Sequence, residues 1–461
     1  MDVTLAEIAA VTGGTLSGGP ADARVTSFAF DSRALEPGAC FVALLGSRDG
    51  HDFASDAFER GAVVALVAKV PAVARGGAWI VVPDPLAALA DLGRWARTRL
   101  AGATVVGITG SAGKTATKDL TAAALAPSLA VHASVGSYNN EFGLPLTLLA
   151  APLATEVVVA EMGARFAGNI ADLCAIARPD VGILTHVGLA HAEHLGGRAG
   201  ITKVKGELLE ALPAAGVAVV NADDDATAEL VMRTRARVLR VGARATDADV
   251  RTSDVRLDAE LRPRFVLESP WGTTTIQLAV RGAHQVQNAA MAAAAALSLQ
   301  VPLADVSKGL AEATTANWRM QLHRSPDGVT VLNDAYNASP TSVAAALESF
   351  AHLAPAGRRV FVFGEMLELG DQSAVEHSRV GELAADTGVD VFVMVGAGAR
   401  PAAAAARERG LTVVDAPDAA AALEAVRGLA RPGDAVLVKA SRAVGLEVVA
   451  DALVAGEVTV S

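Results

Sequence analysis

Residues 105–120 have the types and the spacing that bind a nucleoside triphosphate. An apolar run leads into glycines, which are followed by Lys114, Thr115 and a helix-forming stretch. In that order, backbone N–H groups and a helix N-terminus can surround phosphate oxygens, while the lysine reaches the outer phosphates and the threonine hydroxyl suits Mg²⁺. A general P-loop has glycine where this chain has Ile108, so a chance Gly-Lys-Thr in a glycine-rich chain is the competing interpretation.

Other polar residues that could complete such a site follow later apolar runs. Glu161 ends one run and is the best candidate carboxylate for Mg²⁺, with a helix-capping role as the alternative. His186, His191 and His194 follow another run, but no cysteine or suitably spaced carboxylate accompanies them as in a zinc site. We therefore expect one of these histidines to join a magnesium shell or to contact a phosphate.

Two polar groups of the middle region have ordinary interpretations when each is taken alone. Lys205 lies near the start of an amphipathic helix, and this pattern predicts a solvated lysine. Asn139 and Asn140 could orient the polar groups of a substrate, although asparagines are also common in turns.

The elements that must position these groups are strands alternating with helices. Residues 86–312 show the long alternation of a mostly parallel, doubly wound sheet, with antiparallel hairpins expected within 250–280. Residues 315–461 repeat the alternation as a Rossmann-like unit, in which Asp334 and Asn337 follow a strand and could face a cleft. Ligands of such sheets bind at the carboxyl ends of the strands, where these polar residues fall.

The first 82 residues predict a smaller α/β module. A short helix begins after Thr4, with Glu7 at the capping-box position. Residues 83–85, Pro-Asp-Pro, predict a linker to the next unit.

Composition excludes several classes of protein. The 461 residues are 52% hydrophobic and 19% charged, which is enough apolar material for several cores. A formal net charge of −11 argues against a nucleic-acid scaffold. Two cysteines cannot form a disulfide framework, and neither a signal peptide nor a membrane span is expected, so the sequence predicts a cytoplasmic protein.

The motifs, taken in order, resemble those of the ATP-dependent Mur ligases of peptidoglycan synthesis over nearly the whole chain. The unusual P-loop matches the family's TGxxGKT, and DAYNASP with EMLELG is similar to the members that add D-alanyl-D-alanine. The matching segments are DSR (31–33), GSRDGHDF (46–53), TGSAGKT (109–115), NNEFGLPLTLL (139–149), EMGA (161–164), His191, KGE (205–207), NADD (221–224), RGAHQVQNAA (281–290), DAYNASP (334–340), EMLELG (365–370) and KASR (439–442).

The resemblance implies a role for each matching residue. The implied ATP site consists of Thr109, Gly110, Ser111, Ala112, Gly113, Lys114, Thr115, Asn288, Arg319 and Asp334. The implied Mg²⁺ ligands are Thr115, Glu161, His191 and Lys205, the last as a carbamate, and the implied catalytic set is Lys114, Glu161, His191 and Lys205. The implied substrate contacts are Ser32, Arg33, Gly46, His51, Asn139, Asn140 and Asn337.

The resemblance also implies three domains and an activity. These are an N-terminal UDP-substrate domain (1–82), a central P-loop ATPase domain with a mostly parallel sheet (83–314) and a C-terminal Rossmann-like domain (315–461). The implied reaction joins D-alanyl-D-alanine to UDP-N-acetylmuramoyl-tripeptide through an acyl phosphate. A monomer that binds neither nucleic acid nor membrane is expected.

Two alternatives remain at this stage. One is a ligase of the same family that adds lysine or diaminopimelate as the third residue, although no DNPR-like segment is present. The other is an ATPase module without ligase activity. Several residues depart from the family's usual choice, which leaves the phosphate and metal groups intact but makes substrate contacts less certain: Ser137, His186, Gln285, Asn333, Ser339 and Ala440.

Overall fold

A computed structural model describes residues 2–46, 48–72, 76–188 and 192–456. Their strands form three main sheets in successive parts of the chain, together with a ribbon in which Val3–Thr4 pairs with Arg24–Val25. The α/β class predicted from the sequence is confirmed. The domain boundaries at residues 82/83 and 314/315 stay predictions.

The N-terminal sheet has five strands, of which only the first pairs antiparallel to its neighbour. The helix Leu5–Thr12 begins with the expected capping box, because the Thr4 Oγ1 accepts the Glu7 N–H at 3.2 Å and the Glu7 carboxylate accepts the Thr4 N–H at 2.9 Å. The strands, in sheet order, are Thr15–Ser17, Ala78–Val81, Val64–Val67, Ala39–Val42 and Ser27–Ala29; the other helices are Ser32–Ala34, Gly50–Phe53 and Ala54–Glu59.

Residues 83–85 do not form the predicted linker. Asp84 is the N-cap of the helix Pro85–Arg99, and its carboxylate accepts the Leu86 N–H at 2.8 Å and the Ala87 N–H at 3.2 Å. Proline in the first turn lacks an N–H that the helix could not use, so the same three residues are a helix start. Leu89 of this helix shares one buried cluster with Ile8, and the N-terminal and central parts are therefore packed together.

The central sheet has nine strands, and seven of them are parallel. The remaining two extend it as the antiparallel hairpins expected within residues 250–280. In sheet order the strands are Gly272–Gln277, Pro263–Ser269, Val250–Leu257, Arg237–Gly242, Val217–Asn221, Val181–Leu184, Thr104–Thr109, Val157–Glu161 and Val131–Ala133. The helices, after Pro85–Arg99, are Lys114–Leu125, Gly143–Ala150, Asn169–Ala177, Ala192–Leu195, Gly197–Ala211, Thr227–Leu230, Val231–Arg233, Gln285–Ser298 and Leu303–Glu312.

An alanine-rich helix sets the position of the nucleotide-binding helix. In Gln285–Ser298, the alanines from 292 to 296 are fully buried in the cluster that also contains Leu120 and Ala124 of Lys114–Leu125. Small side chains let two helices approach closely, so the N-terminus of the second helix is fixed against the first.

The C-terminal sheet has six strands and one antiparallel edge. None of the helices in the described part of the chain combines the length and apolar character that a bilayer crossing requires. The strands, in sheet order, are Gln321–Arg324, Thr330–Asn333, Ala435–Lys439, Arg359–Gly364, Val391–Val395 and Thr412–Ala416; the helices are Pro340–Ala351, Gly370–Gln372, Ser373–Asp386, Ala397–Ala399, Arg400–Glu408, Ala419–Leu429, Arg442–Val444 and Glu447–Val454.

Candidate active site

The phosphate loop joins the strand Thr104–Thr109 to the helix Lys114–Leu125 at the carboxyl edge of the central sheet. Gly113 has φ +82°, and a Cβ built on it would lie 2.7 Å from the Asn288 Oδ1. Only glycine fits there without strain. This contact brings the predicted adenine-side residue against the loop.

Neighbouring strand ends hold the same loop by hydrogen bonds. The Ser111 N–H donates to the His186 carbonyl at 2.7 Å, and the Thr185 hydroxyl donates to the Ala112 carbonyl at 2.6 Å. The Thr109 hydroxyl donates to the Met162 carbonyl at 2.7 Å. The loop therefore has its shape before any ligand binds.

Lys114 is folded back over the loop that precedes it. Its Nζ donates to the Gly110 carbonyl at 2.8 Å. Burial lowers the pKa of Lys114, and the nearby Arg319 adds to this effect while Glu161 opposes it. The ammonium therefore lies near the Glu161 carboxylate and near two other basic groups, those of Arg319 and Lys205, at the position where a phosphate would be attracted.

Glu161 and Lys205 are buried and incompletely paired. Each residue is only 1% exposed. The Glu161 Oε1 accepts the Asn139 Nδ2 at 2.7 Å, whereas its Oε2 and the Lys205 Nζ have no hydrogen-bond partner among the described residues. Buried polar atoms without partners are costly, so these two atoms fit a site that binds a polar ligand or a metal ion.

The chemistry of Lys205 fits a carbamate. Burial and the repulsion of Lys114 lower its pKa to about 7, against the opposing influence of Glu207 and Glu161. Carbamate formation requires the neutral amine, which a lysine with an ordinary pKa hardly populates near neutrality. The solvated lysine that the residue pattern favours is wrong, because the side chain faces the interior.

The C-terminal part contributes Arg319 to the same region. Its Nη2 donates to the Thr115 hydroxyl at 3.0 Å, its Cζ lies 4.1 Å from the centre of the Tyr336 ring, and its buried Nε has no partner among the described residues. The stacking fixes the plane of the guanidinium, which leaves one edge for a ligand oxygen.

Asp334 and Asn337 are held by a buried lysine of a neighbouring strand. Lys439 forms an ion pair with Asp334 and donates to the Asn337 carbonyl at 2.9 Å. The second carboxylate oxygen of Asp334 accepts the Met320 N–H at 3.1 Å. Asp334 therefore orients the segment that carries Arg319.

The predicted N-terminal contacts are only partly available to a substrate. Arg33 is exposed and pairs with Asp31 at 2.7 Å, which holds the pKa of that carboxyl at about 2. Ser32 is buried. His51 is 4% exposed, its Nδ1 lies 2.6 Å from the Asp49 Oδ1 and its Nε2 accepts the Ala68 N–H at 2.9 Å, so both ring nitrogens are used to hold the loop.

The remaining predicted residues fall in three situations. Asn140 accepts the Gly143 N–H at 3.0 Å, and Gly46 donates its N–H to the Arg48 carbonyl at 3.1 Å. His186 pairs through Nδ1 with the Asp224 Oδ2 at 2.7 Å. His191 lies outside the described residues.

Three residues near the site have no role of their own in the sequence prediction, although Tyr336 and Lys439 lie in segments that match the family. Lys118 lies one helical turn after Lys114, Tyr336 stacks on Arg319, and Lys439 pairs with Asp334. The spacing of four between the two lysines was the one available signal, because residues four apart share a helix face. Tyr336 and Lys439 depend on contacts between distant segments.

Three features define a P-loop nucleotide-binding protein built from several α/β units. They are a P-loop on a mostly parallel sheet, a buried carboxylate and lysine beside that loop, and a second, mostly parallel sheet that supplies an arginine. Residues 108–296 match the model of the Mur ligase middle domain, and residues 318–442 match that of the Mur ligase, glutamate ligase domain. The chain belongs to the Mur ligase family.

Two relatives that are similar over nearly the full length carry the same name. A UDP-N-acetylmuramoyl-tripeptide--D-alanyl-D-alanine ligase of Mycobacterium bovis is 43% identical, with 99% of this chain and 98% of the relative covered. The protein of that name in Bacillus subtilis is 35% identical, with 96% of each chain covered.

Solved structures agree with this. MurF from Acinetobacter baumannii has a TM-score of 0.87 and 31% identity, covering 98% of this chain and 99% of its own. MurF from Thermotoga maritima, solved in complex with ADP, has a TM-score of 0.77 and 30% identity, covering 93% and 96%.

Proposed function

We propose that the chain is an ATP-dependent ligase that joins D-alanyl-D-alanine to UDP-N-acetylmuramoyl-tripeptide, with release of ADP and phosphate. The observation that carries the proposal is the 43% identity, over 99% of the chain, to a relative of that name. The geometry supports it, because the P-loop, the Glu161–Lys205 pair and Arg319 meet at one edge of the central sheet.

Residues of the central part hold the nucleotide in this proposal. Backbone N–H groups of residues 109–115 and the Lys114 ammonium bind the phosphates, and Asn288 faces the adenine. The Thr115 hydroxyl, Glu161, His191 and a carbamate on Lys205 would hold Mg²⁺, which supplies neutralisation of phosphate charge when it is bound. Arg319 and Asp334 reach the nucleotide from the C-terminal side.

The reaction is then two displacements. A carboxylate oxygen of the tripeptide forms a bond to the γ-phosphorus of ATP as the bond to ADP breaks, and Lys114 and Arg319 offset the charge on the transferring group. The amine of D-alanyl-D-alanine next attacks the carbonyl carbon of the acyl phosphate. The amide bond forms, inorganic phosphate leaves and the amine loses its proton.

The substrates are positioned from both sides of the nucleotide. Ser32, Arg33, Gly46 and the loop held by His51 form the UDP side. Asn139 and Asn140 face the sugar and peptide, while Asn337 approaches from the C-terminal sheet. Positioning three substrates accounts for most of the rate enhancement that we expect. We further propose that the chain acts as a monomer in the cytoplasm.

Phosphate release tests this proposal. The purified chain is given ATP and Mg²⁺ with one of two substrate pairs. The first is UDP-N-acetylmuramoyl-tripeptide with D-alanyl-D-alanine, and the second is the corresponding UDP-N-acetylmuramoyl-dipeptide with lysine or diaminopimelate. Turnover that depends on D-alanyl-D-alanine is expected. Turnover with lysine or diaminopimelate alone would assign another ligase of the family, and acceptor-independent hydrolysis would indicate an ATPase module. Tripeptides ending in lysine and in diaminopimelate, tried in parallel, identify the preferred substrate.

A further inference from the structure

A second lysine of the nucleotide-binding helix is used entirely inside the protein. Lys118 is 3% exposed. Its Nζ donates to the Ser134 carbonyl at 2.6 Å and to the Gly136 carbonyl at 3.1 Å, and lies 2.9 Å from the Asp119 Oδ1. Three partners match the three ammonium protons. Lys118 therefore ties this helix to the segment 134–140, which we call the substrate loop.

The substrate loop carries groups that contact Glu161 and the C-terminal part. The Ser134 Oγ accepts the Glu161 N–H at 3.3 Å, and Asn139 donates to the Glu161 carboxylate at 2.7 Å. The Ser137 hydroxyl is hydrogen-bonded to the Tyr336 hydroxyl. A displacement of the loop would therefore move the Glu161 carboxylate and the Asn139 amide together.

Asp119, the ion-pair partner of Lys118, contacts a different segment of the chain. The Asp119 Oδ2 accepts the Ala316 N–H at 3.1 Å, in residues 313–320, which we call the linker and which lead to the C-terminal sheet. Three residues later, Arg319 contacts the Thr115 hydroxyl of the same helix. One ion pair thus joins the nucleotide-binding helix to the substrate loop through Lys118 and to the linker through Asp119.

We infer that Lys118 and Asp119 are positioning residues that couple nucleotide binding to the placement of the UDP-linked substrate and of the C-terminal domain. The inference rests on the proposed ligase function and adds two residues to it. A buried ion pair seldom stabilises a fold more than apolar side chains of the same size would. Here the ion pair positions two segments. Lys118 donates to backbone carbonyls of the substrate loop, the Asp119 carboxylate accepts a backbone N–H of the linker, and both segments must meet at the nucleotide.

Steady-state kinetics of Lys118→Met in the full-length enzyme test the coupling. Methionine keeps most of the length of the side chain and removes all three donors. The KM for UDP-N-acetylmuramoyl-tripeptide should rise about tenfold or more, as expected for the loss of charged hydrogen bonds. The Kd of ADP, measured by calorimetry, should change by less than about threefold, because the phosphate loop keeps its own contacts. Equal changes in both constants, or in neither, would overturn the inference.

Asp119→Asn tests the contact between Asp119 and the linker, and it keeps the shape of the side chain. Its kcat should fall about tenfold while the Kd of ADP stays within about threefold, since the linker loses a charge-assisted acceptor and the nucleotide loop does not. The loss of kcat/KM in the double variant with Lys118→Met should be smaller than the product of the two single losses, because the two residues are each other's ion-pair partner. Independent effects would contradict a shared ion pair.

Arg97 provides a matched control. It is 9% exposed, donates to the Ala177 and Leu100 carbonyls at 2.8 Å each and lies 3.4 Å from Asp180, at the amino edge of the same sheet. Arg97→Met should lower the melting temperature without changing the ratio of the substrate KM to the ADP Kd. If it raises this ratio as Lys118→Met does, the effect is general destabilisation and the inference fails. Absence of dipeptide-dependent turnover in the unmodified enzyme would instead count against the proposed function.

Discussion

Lys205 is the residue whose surroundings are hardest to explain without a ligand. It is 1% exposed, has no hydrogen-bond partner among the described residues, and lies close enough to Lys114 for repulsion to lower its pKa. A cation in that position is destabilising, whereas a carbamate would present two oxygens to the metal beside Glu161. The unpaired Glu161 Oε2 and Lys205 Nζ thus fit a single metal site.

Chemical rescue can distinguish the carbamate from a structural lysine. Lys205→Ala should abolish dipeptide-dependent phosphate release, because the variant lacks one metal ligand. Acetate or formate in the buffer should restore part of the activity by supplying a carboxylate in its place. Methylammonium, which replaces the lost amine but not a carboxylate, is the control. Recovery with the amine rather than the acid would show that the lysine acts as a cation.

The burial of Lys205 also predicts how stability depends on pH. Its pKa is about 7 in the folded chain and near 10.5 when unfolded, so the unfolded chain binds more protons between these values and stability rises with pH across that window. Below the folded-state pKa of about 7, Lys205 is charged and the full free-energy cost of burying its charge is present. Lys205→Met should therefore stabilise the metal-free, CO₂-depleted protein by a few kcal/mol at about pH 6, and by less at about pH 9.

Urea unfolding at the two pH values measures this difference. Lys203→Met, at an exposed position of the same helix, is the control and should alter stability little at either pH. A gain for Lys205→Met that is equal at both pH values would mean that the amine is not titrating in this window.

The roles of single residues were predictable only where the residue type limits them. Lys114, Thr115 and Glu161 follow strand ends, and topology brings strand ends together. Lys205 and His51 could not be assigned from the pattern, because their burial depends on packing between segments far apart in sequence. The family resemblance identified Lys205, but it did not indicate that both ring nitrogens of His51 are already engaged.

At the scale of elements, the turn before the nucleotide-binding helix depends on one glycine. Gly113 combines a left-handed φ of +82° with an approach of 2.7 Å to the Asn288 Oδ1. Gly168 has φ +88° and ψ −18°, close to the φ +82° and ψ −8° of Gly113, but a Cβ there would meet nothing within 4 Å. The two glycines therefore separate the cost of the backbone conformation from the cost of the clash.

Substituting alanine at each position tests this separation. Both Gly113→Ala and Gly168→Ala should lose about 1–2 kcal/mol of stability from the left-handed backbone. Only Gly113→Ala should also weaken ADP binding, by about tenfold or more, because the phosphate loop and Asn288 must move apart. Calorimetric titration with ADP gives the comparison, and equal affinities in the two variants would contradict a role for the close approach.

Most elements could be predicted, and the errors have local causes. The strand Val217–Asn221 lies where the apolar run predicts it, since a buried parallel strand is apolar on both faces. The Pro-Asp-Pro segment predicts a linker, because prolines often mark boundaries. Asp84 instead makes this segment the start of a helix, and only the helix that follows distinguishes a helix start from a linker. The edge strand Gln321–Arg324 is short and polar, so its sequence has no hydrophobic periodicity that predicts a strand.

At the scale of the molecule, individual hydrogen bonds connect the C-terminal part to the nucleotide site. Arg319 bonds to Thr115, the Asp119 carboxylate accepts the Ala316 N–H, and the Ser137 and Tyr336 hydroxyls meet. These are isolated hydrogen bonds, each of which contributes about 1 kcal/mol. A nucleotide and a substrate bound between the same surfaces would add many more.

The linker itself favours a change of shape. Trp318 and Met320 both adopt left-handed backbone conformations, with φ of +59° and +51°, on either side of Arg319. Such conformations are unfavourable for residues other than glycine and persist where neighbouring contacts hold them. Here the holding contacts are the Tyr336 N–H to the Trp318 carbonyl at 3.1 Å and the Met320 N–H to Asp334 at 3.1 Å.

We therefore predict that the ligand-free enzyme is open in solution and that it becomes more compact when an ATP analogue and UDP-N-acetylmuramoyl-tripeptide are both bound. Small-angle X-ray scattering should show a smaller radius of gyration with both ligands than with either alone, because each ligand touches only part of the interface. Arg319→Ala should reduce the compaction, since it removes the linker's contact with the nucleotide-binding helix. An unchanged radius of gyration with both ligands present would contradict domain closure and would leave a preassembled site as the explanation.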